Sequence, residues 1–480
     1  MNMQKYRYEE IAAEMEANIL EGRLKPGHKL PSVRALKLKY NIGLSTVQNA
    51  YEYLMIKGLV ASIPKSGYYV SGPKREDREG QKSLKGPARI VVHDAIFKNN
   101  LSVITAHADP QKKHSITEFN VAAPGEFFIP QKLLLRTMQQ VIREKGAGLL
   151  RYYPSNGSEF LKEHLARRAT TYHSRFRAEE LIITDGAIQA FYIALASVTA
   201  PGDVIAIESP CIFSMLEVVK NLRLKVIEIP VHEGSGFDVA FLKRAAEQAM
   251  LKAIVLTPNF HNPTGALLAD ADKKELLTIA QSRGIPIIEN DVFGDLNFSG
   301  TRPLNIQSMD NSGLVMTFSS FSKTLAPGIR LGWLSPGRFF KQAEQLKFSL
   351  GSTVSPIYQE SIAKLLASSS YDRHVRKFRM QLAAQAYHTI NLISEFFPGS
   401  TRISQPKGGY SIWLKMEKKV NMKLFYKHCE QNGIRFTPGS AFSFSNVFEQ
   451  HFRIVFASKY TPQREEMLKL AGKIASDCTL

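Results

Sequence analysis

The spacing of hydrophobic positions changes rhythm along the chain. In YRYEEIAAEMEANILEG, Ile11, Met15 and Ile19 recur at helical intervals and the run stops at Gly22. LKPGHKLPS supplies turn residues, PSVRALKLKYN reads as a second helix, and GLSTVQNAYEYLMIKG reads as a third with Ser45 as its N-cap. The third helix carries an apolar stripe of Val47, Ala50, Tyr51 and Leu54 and ends at Gly58. LVASIPKSGYYVSG then alternates apolar and polar residues around PKSG, which predicts a β-hairpin. GPKREDREGQKSLKGP has almost no apolar content, so residues 73–115 are expected to be a linker between a domain at 1–72 and one at 116–480. Within that linker ARIVVHDAIFKNN is open between helix and strand. From about residue 116 short apolar runs (LIIT, DVIAIES, KAIVLT, IPIIEN, LVMTF) alternate with amphipathic stretches, the pattern of an α/β domain with a mostly parallel sheet. After about residue 340, PKGGYSIWLKM and FRIVFA suggest a smaller α+β subdomain.

Composition adds a partner to this picture. Among 480 residues, 62 Lys and Arg stand against 43 Asp and Glu, a net charge of +19, and much of the excess sits in and beside the first domain. Such a balance suits a polyanion. Cys211, Cys429 and Cys478 lie far apart, with no CxxC and no metal-ligand spacing, as expected in a reducing cytoplasm. The first residues lack the apolar core of a secretory signal, and no run reaches the ~18 apolar residues of a membrane span.

Helix, short turn, helix and hairpin make a winged helix-turn-helix, in which the third helix offers its first turn to the major groove of double-stranded DNA and the wing touches the backbone. The order LPSVRAL, STVQNAYEYLMIKGLV, SGYYV resembles the DNA-binding domain of GntR-type bacterial regulators. By that resemblance Arg34, Ser45, Thr46 and the wing residues Lys65, Ser66 and Gly67 would contact DNA.

In the larger domain, chemistry collects where strands end, which is where open α/β sheets bind ligands. TDGAIQA follows the run LIIT and opens a helix, so the amides of Ala187 and Ile188 are placed to hold a phosphate. SSFSK follows VMTF and precedes Arg330. A lysine able to form a Schiff base, flanked by Ser and Arg able to hold a dianion, is what pyridoxal phosphate requires. GxxQA, NPTG, an acidic strand end, SxSKxxxPGxRxGW and a late FRI together resemble the fold-type I aminotransferases over the whole long segment, and the two domains together resemble the MocR-type regulators. The resemblance implies a fold-type I transferase-like domain with Lys323 as the Schiff-base lysine and Ser320, Ser322 and Arg330 around the phosphate. It also implies that Asn262 meets the cofactor's phenolic oxygen, that Arg453 binds a substrate carboxylate, and that Tyr152 reaches the cofactor of a partner subunit in a homodimer.

Three positions depart from that pattern. Asn290 stands where the family has an aspartate beside the pyridine nitrogen, Phe293 where it has a tyrosine, and the stacking aromatic's place holds Ile212 with Phe213 one residue on. Asparagine brings no charge to keep the nitrogen protonated, and phenylalanine donates no hydrogen bond. Asp291 is not expected to substitute, because a one-residue shift along a strand points to the other face. The expectation is a DNA-binding transcriptional regulator whose aminotransferase-like domain senses pyridoxal phosphate or an amino acid and transaminates weakly or not at all. Two alternatives stay open: a working aminotransferase of 2-aminoadipate type with an appended DNA module, and a DNA-binding scaffold with an empty pocket.

Overall fold

Three short helices open the chain, and one apolar stripe explains their packing. The computed structural model describes residues 7–25, 28–56, 59–63, 67–70, 90–96, 116–351 and 353–479. It divides into two units, up to Arg89 and from Ile90 on. In the first, α1 (Arg7–Leu20), α2 (Val33–Tyr40) and α3 (Leu44–Ile56) precede the antiparallel pair β1 (Val60–Ile63) and β2 (Gly67–Val70). Val47, Ala50, Tyr51 and Leu54 of α3 are fully buried, together with Ile11, Met15, Leu36 and Val60. Each such aliphatic contributes roughly 1.5–3 kcal/mol of burial. Tyr51 stacks on Tyr68 of the hairpin at 4.0 Å between ring centres and donates its hydroxyl to the carbonyl of Pro31, fixing β2 against α3.

The start of α3 corrects one expectation. The helix begins at Leu44, and the Gly43 carbonyl accepts from the amides of Thr46 (3.1 Å) and Val47 (3.3 Å). Ser45 is therefore the second helical residue and not the N-cap, since a cap must stand outside the first turn. Ser32, by contrast, does cap α2, accepting from the Ala35 amide at 3.2 Å.

The second unit is built on a nine-stranded sheet. Its strands are β3 (His93–Asp94), β5 (Ile182–Thr184), β6 (Val204–Ser209), β7 (Lys225–His232), β8 (Gly236–Phe237), β9 (Leu251–Leu256), β10 (Ile287–Asn290), β11 (Val315–Ser320) and β12 (Gly332–Ser335), ordered β3-β7-β6-β9-β10-β11-β12-β5 with β8 beside β7. From β7 to β11 all neighbours are parallel, while β12 runs antiparallel to both β11 and β5. Residues 93–94, placed in the linker by sequence, pair antiparallel with the outer edge of β7. The segment left open between helix and strand is a strand there, because β7 offers unpaired backbone groups on that side.

Both faces of this sheet are covered, which is why its strands read as nearly continuous apolar runs. Ile205 and Ile207 pack into one cluster with α4 (Gly186–Ala196) and α5 (Phe213–Asn221), and Ala206 between them packs into the cluster on the other face. Ile288 and Ile287 divide the same way. The smaller α+β part carries an antiparallel sheet of β13 (Arg402–Ile403), β14 (Ser411–Lys415), β17 (His451–Val455) and β16 (Thr437–Pro438). β4 (Thr117–Glu118) pairs parallel with β15 (Ile434–Arg435), which carries residues just after 118 to the side of β17.

Candidate functional site

Strand register assembles the first half of the site. Gly332 pairs with Thr184 on one side and with Ser320 on the other, so three segments distant in sequence meet at one edge. α4 starts there, with no side-chain cap over its first turn; the Gln189 side chain instead accepts from the Asp185 amide at 2.7 Å. The amides of Ala187 and Ile188 lie in this uncapped turn, where the helix dipole favours an anion. Ser320 Oγ lies 3.0 Å from Ser322 Oγ and accepts from the Ser322 amide at 3.1 Å. Arg330 adopts the left-handed conformation (φ 49°) and donates to the Asp185 carbonyl at 3.2 Å. Its guanidinium lies so close to Gly186 (φ +77°) that a Cβ there would fall 2.7 Å from Nη2. The dihedral favours a glycine at 186, and its missing Cβ leaves the guanidinium room to lie there.

Lys323 follows in the turn after β11. Its Nζ donates to the Ala122 carbonyl at 2.6 Å, and burial beside Arg453 and Arg330 pulls the amine down to about 8, so a sizeable neutral, nucleophilic fraction exists near neutral pH. Arg453, on β17, is fully buried. It donates to Asn262 Oδ1 (3.0 Å), the Asn120 carbonyl (2.6 Å) and Thr437 Oγ1 (3.1 Å), and its Nε has no partner. No carboxylate pairs with it among the described residues, and burial lowers its pKa to about 9. A buried guanidinium held only by neutral oxygens, with one N–H unused, is suited to an anionic ligand. Because Asn262 Oδ1 is turned to Arg453, its Nδ2 is the donor left over, without a protein partner among the described residues.

The departures sit at the ring end. Asn290 is buried on the Ile288 face, its Nδ2 donating to Thr257 Oγ1 at 3.2 Å and its Oδ1 accepting from the Val292 amide at 3.2 Å. Thr257 in turn gives its hydroxyl to Glu208 at 2.7 Å and its amide to the same carboxyl. Burial pushes Glu208 up to about 8, while His261, 3.6 Å away, is pushed down to about 3 and stays neutral. Phe293 meets Tyr410 edge-on at 5.0 Å. Phe213 is half-buried with its edge toward Phe442. Asp291 goes the other way, its carboxylate ion-paired with Arg302 in a cluster with Asp295, Arg168 and Tyr371.

Most of the residues singled out by sequence thus gather around Lys323. Tyr152 does not: it is 92% exposed on this chain. In the first unit Arg34 is exposed at the start of α2, Thr46 lies half-buried in the first turn of α3, and Gly67 begins β2. Lys65 and Ser66 lie outside the described residues. Sequence reasoning missed the carbonyls of Asn120 and Ala122, which carry no side-chain signal, and the Thr257–Glu208 link. An acid closing the apolar strand VIAIES was a visible cue for the latter. Among the described residues no cluster suited to a metal ion occurs, and no helix is long and apolar enough to cross a membrane.

Comparison with known proteins gives two family matches: bacterial regulatory proteins of the gntR family over residues 7–70, and class I and II aminotransferases over residues 125–471. The uncharacterized HTH-type transcriptional regulator YjiR of Escherichia coli K12 is 33% identical over 467 residues, spanning 97% of this chain and 98% of its own. YdcR of the same organism is 29% identical, over 98% and 99%, and the HTH-type transcriptional regulator NorG of Staphylococcus aureus is 26% identical, over 89% and 95%. Among solved structures, LysN, an alpha-aminoadipate aminotransferase from Thermus thermophilus complexed with N-(5'-phosphopyridoxyl)-L-leucine, superposes with a TM-score of 0.72 at 22% identity, over 77% of this chain and 94% of its own. A kynurenine aminotransferase from Pyrococcus horikoshii gives 0.72 at 22% identity, over 79% and 95%. At that identity the likeness is one of fold.

Proposed function

The chain belongs to the regulators that join a GntR-type DNA-binding domain to a class I and II aminotransferase domain, the MocR-type architecture, and from that premise we propose that it regulates transcription by binding DNA under the control of a ligand held at Lys323. One observation supports the reading above the others. The pocket keeps its groups for holding a phosphate and a carboxylate (Arg330, Ser320, Ser322, the α4 amides, Arg453), yet has Asn290 and Phe293 where catalysis calls for a charge and a hydroxyl.

Those residues fit pyridoxal phosphate. The close seat between Gly186 and Arg330, the uncapped α4 turn and the unpartnered Nε of Arg453 are each matched to a group such a complex would bring. Pyridoxal phosphate supplies, when bound, a ring that draws electrons from an amino acid's Cα. Lys323, with its lowered pKa, offers the amine; Arg330, Ser320, Ser322, Ala187 and Ile188 hold the phosphate; Asn262 Nδ2 donates at the phenolic edge; and Arg453 orients the amino acid's carboxylate. Asn290 contributes a dipole without charge, so the residues here bind and orient better than they move protons. On this reading the ligand is pyridoxal phosphate, alone or with an amino acid, Tyr152 projects toward a second copy in a homodimer, and the protein works in the cytoplasm.

The deciding experiment is binding to the DNA upstream of the chain's own gene, with and without pyridoxal phosphate and amino acids, at two salt concentrations. Sequence-selective binding that shifts with ligand is expected, and Arg34→Ala should weaken it about tenfold and reduce the salt slope by about one. Absence of selective binding under every condition would refute the reading. The runner-up, an active aminotransferase, draws on the ionisable Glu208 one hydroxyl away from Asn290. Single-turnover transamination at the rate of a dedicated enzyme would establish it instead.

A further inference from the structure

One buried phenol in the pocket has no part in the arrangement so far. Tyr410 follows two glycines, and their lack of side chains places it: a Cβ at Gly408 would fall 2.5 Å from the Phe260 ring and 2.6 Å from the Leu296 carbonyl, and Gly409 has φ +69°. The turn delivers the Tyr410 ring edge-on to Phe293 at 5.0 Å with an interplanar angle of 89°. Its hydroxyl reaches 3.4 Å from the Ala122 carbonyl, the same oxygen that receives Lys323 Nζ at 2.6 Å. Two donors converging on one oxygen must themselves be close. The tyrosine is 1% exposed, and a buried phenol ordinarily finds an acceptor nearer than this, so its proton is weakly engaged.

We propose that Tyr410 is a second uncharged hydrogen-bond donor at the phenolic edge, beside Asn262, a positioning residue whose phenol acts on pyridoxal phosphate in the place left without a donor by Phe293. The proposal rests on the reading that the pocket takes pyridoxal phosphate. The surroundings favour a donor role. The charged groups about the pocket are Lys323, Arg453 and Arg330, with Asp185 3.9 Å from Arg330; Glu208 lies behind Thr257 and Asn290, with neutral His261 3.6 Å from it. Burial raises Tyr410 well above its ordinary value against the opposing pull of Arg453, so it keeps its proton across the useful pH range. A neutral donor beside an oxygen anion stabilises the deprotonated form of the complex and lowers its titration midpoint.

The test uses the full chain loaded with pyridoxal phosphate, following its visible absorption band from pH 5 to 10 alongside cofactor retention and thermal melting. Tyr410→Phe should raise the midpoint by about one pH unit, the size of one hydrogen bond to a charged group. Adding Phe293→Tyr to that variant should bring the midpoint back, whereas Phe293→Tyr alone should leave it within a few tenths because the role is already filled. A Tyr410→Phe protein with the wild-type midpoint, whatever its melting temperature, overturns the proposal. Should Tyr410→Phe fail to fold, Phe293→Tyr alone decides, and a full-unit drop there would show the role vacant. Wild-type protein that takes up no pyridoxal phosphate at all, before any variant is compared, refutes the cofactor reading itself and this inference with it.

Discussion

Two arginines turned away from solvent, Arg302 beside Asp291 and Arg453 on β17, show how differently one side chain can be used. Arg302 is met by Asp291 and, at 2.8 Å, by Asp295; it lies over the Tyr172 ring at 3.6 Å and donates to Asn305 at 2.9 Å. Its charge is answered twice and its pKa is raised. Arg453 is more deeply buried, yet it is met only by a carbonyl, a hydroxyl and an amide, and its pKa is lowered. The first is a finished structural network; the second keeps an electrostatic debt that an incoming carboxylate can discharge. Adjacent residues Asn290 and Asp291 divide between these two worlds, which is why the aspartate next door does not serve the pocket.

The largest effect should come from breaking the finished side. Arg302→Met leaves Asp291 buried without its cation and Asp295 with Arg168 alone, and should cost about 3–5 kcal/mol of stability in denaturant unfolding. Arg453→Met should change stability by only about 1 kcal/mol, because the charge removed was uncompensated, yet weaken an amino-acid ligand about 100-fold when its binding to the cofactor-loaded protein is titrated. Equal stability losses for the two variants would erase the distinction drawn here. Glu208→Gln probes the ring end. Glu208 has a folded pKa near 8 against an ordinary 4.5, so between those values the folded state holds a proton that the unfolded state has released, and stability falls as pH rises. The slope from this group approaches about 1.4 kcal/mol per pH unit and ends above pH 8. The Gln variant should show a flatter profile from pH 5 to 8; an unchanged profile would mean that Glu208 ionises freely.

Much of this was legible in the sequence where a side chain carries the signal. The stripe of Val47, Ala50, Tyr51 and Leu54 gave the helix and its buried face, and the opposite-face argument for Asp291 holds in the ion pair it makes with Arg302. Alternating runs gave the mostly parallel sheet, but not the reversal of β12, since the chain between β11 and β12 turns back without a crossover helix and leaves no periodicity to read. The strands β13, β15 and β16 are two residues each, too short for any alternation. Carbonyls that hold Lys323 and Arg453 belong to Ala122 and Asn120, where every residue type would offer the same oxygen. Cap position at α3 shifted by two residues, from Ser45 to Gly43, because a glycine can open a helix nearly as well as a serine, and the sequence offered both.

The reversed strand also sets an order of events during synthesis. β5 ends at Thr184, yet the partner that completes its edge, β12, is not made until residues 332–335 leave the ribosome. The edge where Thr184, Gly332 and Ser320 meet is thus incomplete in the nascent protein for about 150 residues of elongation, or roughly 8–30 s at ordinary rates of synthesis. The DNA reader, finished by Val70, has no such wait. The core of the first unit can therefore close before the last strand of the larger unit's site edge has been made.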